Sequence, residues 1–226
     1  MKSSSAPSKD ASPPVHSSGR PAGRFGDWLA GMRAVLRNQR DADVPCEGCV
    51  GCCVSGYQVP LRPDDRVALD EVPAANLFLP VGGGLARMLP RADGTCPMLV
   101  SGLCRIYAER PRTCRDYDCR IYAAAGLEPD GDRPVVRDRV REWVFSFEGN
   151  DENDALAVRR AARFIRAHAE LFPARVRAQS AAAAAVMAVK VYPLFLGAGE
   201  GDGSGGGSAE SMVKRVLEAL QAFDQA

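Results

Sequence analysis

The sequence predicts an α+β protein in which a small cysteine-rich module with short strands is flanked by an N-terminal helix and a C-terminal helical region. Three observations predict it. All eight cysteines fall between Cys46 and Cys119. Outside that interval, apolar residues recur at the period of an α-helix. Inside it, short apolar runs are bounded by Gly, Pro and Asp, the pattern of brief strands joined by turns.

Residues 1–24 are rich in Ser, Pro and Ala and lack the apolar core of a secretory signal, so they read as a disordered tail. From Phe25 to Asn38 the positions Phe25, Trp28, Leu29, Met32, Val35 and Leu36 recur at helical spacing, which assigns 25–43 to an amphipathic helix beside the cysteine module. Residues 44–125 form that module. Tyr57 to Leu61 is a predicted strand, Pro63-Asp64-Asp65 opens a short helix through Asp70, and Ala86 to Arg91 is a second strand before the turn Ala92-Asp93-Gly94. Cys96 to Tyr107 reads as a hairpin turning at Ser101-Gly102, and Arg110-Pro111 opens a helix that carries Cys114 and Cys119. Residues 126–196 are a helical region: Asp151 to Asp154 caps a helix from Ala155 to Leu171, and Pro173 separates it from another over Ala174 to Val191. Residues 197–208 form a Gly-rich linker. A final amphipathic helix over 209–226 carries Met212, Val213, Val216, Leu217 and Leu220 on one side, for packing on the body or on a partner.

At 226 residues, with 46% apolar and 25% charged residues, the chain suits one good-sized domain or a small domain with an appended one. A net charge of +1 gives no overall electrostatic case for nucleic acid. Arg is plentiful around the last cysteines, but without interleaved exposed aromatics this does not make a nucleic-acid surface. The longest apolar run, Ala181 to Leu196, carries Lys190 and Pro193 and falls short of a membrane span, so no membrane crossing is expected.

Thiols at this density need a partner, either one another or a metal. A chain without a visible secretory signal is assigned to the cytoplasm, where disulfides are disfavoured. Cys46-x2-Cys49-x2-Cys52 places three sulfurs on a tight turn, and Gly48 and Gly51 let the backbone wrap an ion with N–H groups aimed at sulfur. A disulfide framework and a chance group of buried thiols are the alternatives. Thiolates select zinc or iron–sulfur iron over magnesium or calcium. His16 lies in the tail and His168 in a helix far along the chain, so the site is read as all sulfur. The candidate ligands are Cys46, Cys49, Cys52, Cys53, Cys96, Cys104, Cys114 and Cys119.

Four thiolates leave either a zinc ion or an oxidised four-iron cluster at net −2. Arg105, Arg110, Arg112, Arg115 and Arg120 could compensate that charge, or could form a solvated face paired with Glu109, Asp116 and Asp118. Cys46, Cys49, Cys52 and the remote Cys96-Pro97 are similar in form to the ligand arrangement of bacterial ferredoxins. The paired two-cysteine knuckles usual for structural zinc are clear only once. Adjacent Cys52 and Cys53 do not readily chelate one ion together, so Cys53 is expected to serve a second centre or to bridge two metals.

The string Cys46-x2-Cys49-x2-Cys52-Cys53, with Cys96-Pro97-Met98-Leu99, Cys104-Arg-Ile-Tyr107, Glu109-Arg110-Pro111, Cys114-Arg115 and Tyr117-Asp118-Cys119, resembles the YkgJ family of cysteine-cluster proteins. The resemblance covers roughly residues 44–125. It implies chelation of zinc or iron and no settled reaction; bacterial flagellin lysine methylases carry a similar cysteine array.

Three function classes follow. The first is a cytoplasmic protein holding an iron–sulfur cluster or zinc through the eight cysteines. The second is a metal-dependent enzyme that modifies a protein side chain, for which no catalytic residue can be named: no dinucleotide fingerprint, phosphate-binding loop or radical S-adenosylmethionine spacing is present. The third is an adaptor or metal-delivery protein whose C-terminal helix engages a protein partner.

Overall fold

The computed structural model describes residues 19–42, 44–45, 48–197 and 208–226. Residues 1–18 of the expected tail, 198–207 of the expected linker, and Cys46 lie outside the described residues.

The chain enters through strand β1, Arg20–Arg24, and passes directly into helix α1, Phe25–Leu36. The strand corrects the expectation of a disordered tail running to residue 24. It pairs in parallel with β7, Trp143–Ser146, setting Arg20 opposite Trp143 and Arg24 opposite Ser146, with a register slip between Pro21 and Gly23. A segment reading RPAGR has no β-branched or aromatic residue to announce a strand; a partner more than a hundred residues away supplies its order. Helix α1 buries Phe25, Trp28, Leu29, Met32 and Val35, the stripe its periodicity marks.

The cysteine module follows. A 3-10 turn, Gly51–Val54, leads to β2, Val59–Leu61, α2, Arg66–Glu71, and the strands β3, Leu77–Phe78, and β4, Ala86–Met88. These form an antiparallel sheet in the order β2-β4-β3, with Leu61 opposite Ala86 and Leu77 opposite Met88. Next comes the hairpin of β5, Leu99–Val100, and β6, Leu103–Cys104. Its two-residue turn places Ser101 at φ 50° and Gly102 at φ 77°, the left-handed conformations a type I′ turn requires. The single helix expected to carry Cys114 and Cys119 is two: α3, Arg112–Asp116, and α4, Arg120–Ala125. The Asp118 carboxylate causes the break, because it accepts from the Arg120 backbone N–H at 2.9 Å and turns the chain between them.

Beyond Gly126, helix α5, Pro134–Glu142, and strand β7 occupy a stretch the sequence left without elements. Helix α6 runs Asp151–Ala167, with Asp151, Glu152 and Asp154 in its first turn facing the positive end of its dipole. Helix α7 begins at Ala181 instead of Ala174. Ser180 caps it by accepting from the Ala183 N–H at 3.1 Å, and the Asp130 carboxylate accepts from the Ala181 N–H at 2.6 Å. Helix α8, Ala209–Gln225, docks back on the body through Met212, Val213, Val216 and Phe223. The guanidinium groups of Arg33 and Arg37 lie over the Phe223 ring at 4.7 and 3.9 Å.

Two hydrophobic cores result. The larger joins α1, α4, α5, α6, α7 and α8 around residues such as Phe25, Phe164, Ile165 and Val189. The smaller consists of Leu61, Ala68, Val72, Met88, Met98 and Ile106 within the cysteine module. Cys96 and Cys104 pack against the small core and Cys119 against the large one. No described helix is long and apolar enough to cross a membrane.

Candidate metal centre

The cysteines reach the cavity from several different local structures. Cys49 stands in the loop before the 3-10 turn, Cys52 and Cys53 lie on the turn, and Cys96 precedes β5. Cys104 ends β6, Cys114 sits on α3, and Cys119 occupies the residue before α4. Backbone and side-chain hydrogen bonds fold these pieces onto one another. The Cys96 N–H donates to the Cys53 carbonyl at 2.6 Å, joining the first cysteine loop to the hairpin. The Arg91 guanidinium donates to the carbonyls of Cys96, Pro97 and Leu99 at 3.0, 2.7 and 3.1 Å, which fixes the approach to β5. The Thr113 hydroxyl donates to the Pro60 carbonyl at 2.8 Å, and the Arg112 N–H donates to Asp65 at 2.7 Å, docking α3 on β2.

Cys49, Cys52, Cys53, Cys96, Cys104, Cys114 and Cys119 all line one cavity of about 620 Å³. No disulfide joins any two of the seven. The eighth candidate, Cys46, lies outside the described residues, three positions before Cys49. Among the described residues no three His, Cys, Asp or Glu side chains already converge as a ligand group, so the sulfurs ring the cavity without meeting at a point. The Sγ atoms of Cys52 and Cys53 are 4.0 Å apart. That is close to the edge of about 3.8 Å in a tetrahedral zinc–tetrathiolate, so adjacency in sequence does not keep the pair from a shared ion.

Two details show sulfur being oriented. The Gly51 N–H points at Cys49 Sγ, 3.4 Å away, the contact expected of a glycine in this loop. The Trp143 indole N–H donates to Cys119 Sγ at 3.2 Å. Among the described residues neither His nor carboxylate lines the cavity. His168 packs on the Phe164 ring, with centroids 4.5 Å apart, in the helical region. A donor set of thiols alone fits a thiophilic metal, zinc or iron–sulfur iron, and suits magnesium or calcium poorly.

The electrostatics agree with a cation held among the thiols. Burial, then the neighbouring Cys52, Cys96 and Cys104, push the Cys114 thiol up to about 12, while Arg110 pulls the other way. Burial also raises the Cys96 thiol, with Cys104 and Cys52 adding to it. The Cys52 thiol is raised first by its contact with Cys53 and then by burial. Cys96 and Cys114 therefore feel the charge of neighbouring thiols, and a metal ion would supply the positive charge that lets such thiols ionise.

Only some of the arginines proposed as compensation face this space. Arg110 lines the cavity and stacks over Tyr107 at 4.3 Å. Arg105 pairs with Glu71 at 2.6 Å and Arg112 with Asp116 at 2.7 Å. Arg120 is buried against Asp118, whose carboxylate also accepts from the Trp28 indole N–H at 2.9 Å. The second guanidinium in the wall is Arg139 of α5, joined there by Val136. Arg139 and Trp143 escaped sequence reasoning because they lie beyond the cysteine interval; the apolar pair Val136 and Val140 in an Arg-rich stretch is the one mark that α5 has an inward side.

Residues 45–130 match the model of the CxxCxxCC family, whose description reads "Putative zinc- or iron-chelating domain". The match takes in the cysteine module through α4, less than half of the chain, and it is the family that the cysteine string resembles. No curated protein and no solved structure matches the chain.

Proposed function

We propose that the chain is an iron–sulfur protein of the cytoplasm, with Cys46, Cys49, Cys52, Cys53, Cys96, Cys104, Cys114 and Cys119 as its pool of ligands. One observation carries this reading: seven cysteines from six separate pieces of chain line one cavity of about 620 Å³. A single zinc ion takes four ligands in a compact shell. More thiols around more space suit a multinuclear centre. Arg110 and Arg139 in the wall offset the negative charge that thiolate ligation leaves behind. Free thiols in this number also suit a reducing compartment.

Native protein purified without oxygen decides between the occupants. Iron and acid-labile sulfide in equal amounts, lowered in Cys52→Ser and Cys104→Ser, are the expected result. Stoichiometric zinc without sulfide would replace the cluster by a zinc site, and native material free of both metals would end the metal reading.

One observation favours a second reading, a metal-dependent enzyme acting on a protein side chain. Met88, Met98, Leu103, Tyr107 and Val136 share the cavity wall with the thiols, leaving an apolar surface where a substrate group could lie beside the centre. An adaptor role would have to use a surface other than the apolar side of α8, which is spent on α7 and on Arg33 and Arg37.

A further inference from the structure

The family match stops at residue 130, yet the cavity wall does not. Strand β7 brings Trp143, 6% exposed, against Cys119. Its indole N–H has one proton to give, and gives it to the sulfur at 3.2 Å. The ring is held on its other flank: Arg20 of β1 lies 5.9 Å from its centroid, and β1 pairs with β7 at this register. A donor so placed fixes the rotamer of a thiol and stabilises the charge of a thiolate once it binds a metal.

We infer that Trp143 is a positioning residue of the metal centre, acting through Cys119, and that β1 and β7 are thereby part of the metal-binding unit. The inference rests on the proposed function above. A purely structural tryptophan would fill the same volume through its ring and would leave the sulfur indifferent to the N–H. Phenylalanine separates the two roles, since it keeps most of the ring and removes the donor.

The test uses the full chain with its two tryptophans, Trp28 and Trp143, labelled with ¹⁵N at the indole, so that two indole signals appear and Trp143→Phe assigns them. Cys119→Ala is expected to displace the Trp143 signal, because its acceptor is gone. Added Cd²⁺, a thiolate-seeking probe, is expected to move the same signal in the unsubstituted protein. Trp143→Phe is expected to bind Cd²⁺ about tenfold to a hundredfold more weakly while still melting cooperatively, if at a lower temperature. A Trp143 signal that ignores both Cys119→Ala and Cd²⁺, or unaltered Cd²⁺ affinity in Trp143→Phe, overturns the inference while leaving metal binding intact. Failure of the unsubstituted protein to bind Cd²⁺ at all overturns the metal reading itself. Should Trp143→Phe fold poorly, the Cys119→Ala and Cd²⁺ shifts still decide the question.

Discussion

Asp118 sits one residue before a candidate ligand and is 4% exposed, yet every direction around its carboxylate is occupied. It accepts from the Trp28 indole N–H at 2.9 Å, from the Arg120 backbone N–H at 2.9 Å, and from the Arg120 guanidinium at 2.8 to 3.0 Å. Arg120 in turn donates to the Ala22 carbonyl of β1 at 3.0 Å. One acid thus ties α1, the α3–α4 junction and the first strand together. Removing it strands a buried guanidinium and a buried indole donor, and that loss outweighs any gain from shedding one desolvated charge. Asp118→Ala is expected to cost about 3–5 kcal/mol in urea denaturation, with Asp118→Asn milder because an acceptor survives. The sequence offered two roles for the arginines near the last cysteines, a solvated face or a counter-charge to the site. Arg120 takes neither, and nothing in its local sequence separates it from Arg112 or Arg115. Burial of a charge is decided by which distant groups arrive to pair with it, and here those are Trp28 and the backbone of Ala22.

Among the elements, the β5–β6 hairpin was legible because its turn chemistry is local: Ser101-Gly102 between short apolar runs is a two-residue turn, and both residues adopt positive φ. Serine tolerates φ 50° less well than asparagine does. Ser101→Asn is therefore expected to stabilise the protein by about 0.5 kcal/mol, read as a raised urea midpoint with an unchanged slope. A lowered midpoint would mean that the turn is held by its surroundings and not by its own preference. Helices α1 and α8 were legible for a similar reason, since their apolar stripes are the faces they bury. The misses share the opposite cause. Strands β1 and β7 exist only because they pair with each other across the chain, α3 and α4 are parted by a side-chain acceptor, and α7 starts late because Ser180 and Asp130 cap it at Ala181. Periodicity reports what a segment prefers alone and is silent on such partners.

At the scale of the whole molecule, the cysteine cavity lies where two unequal cores meet. The large core holds the helices together around aromatic and aliphatic side chains from six of them. The small one has six buried residues, one of them an alanine, to hold the β2-β4-β3 sheet, α2 and the approach to the hairpin. So little apolar burial is a poor match for the conformational entropy of ordering more than fifty residues, and the proposed metal centre would add the cross-links that offset it. The sequence concentrates its thiols in this part of the chain; it could not show that the remainder has a core of its own. The two regions should therefore respond differently when metal is withdrawn. In native, metal-loaded protein treated with a strong chelator under reducing conditions, amide exchange across residues 57–111 is expected to quicken by more than about tenfold, while α6 and α7 keep their protection. Exchange that quickens equally everywhere would make the metal a staple of the entire molecule. Exchange unchanged in 57–111 would mean that the six-residue core and its hydrogen bonds, Arg91 to three carbonyls and Thr113 to Pro60 among them, hold the module unaided. The differential outcome follows from the geometry, because Cys96 and Cys104 pack against the weak core, whereas Cys119 packs against the strong one and accepts from the Trp143 indole N–H.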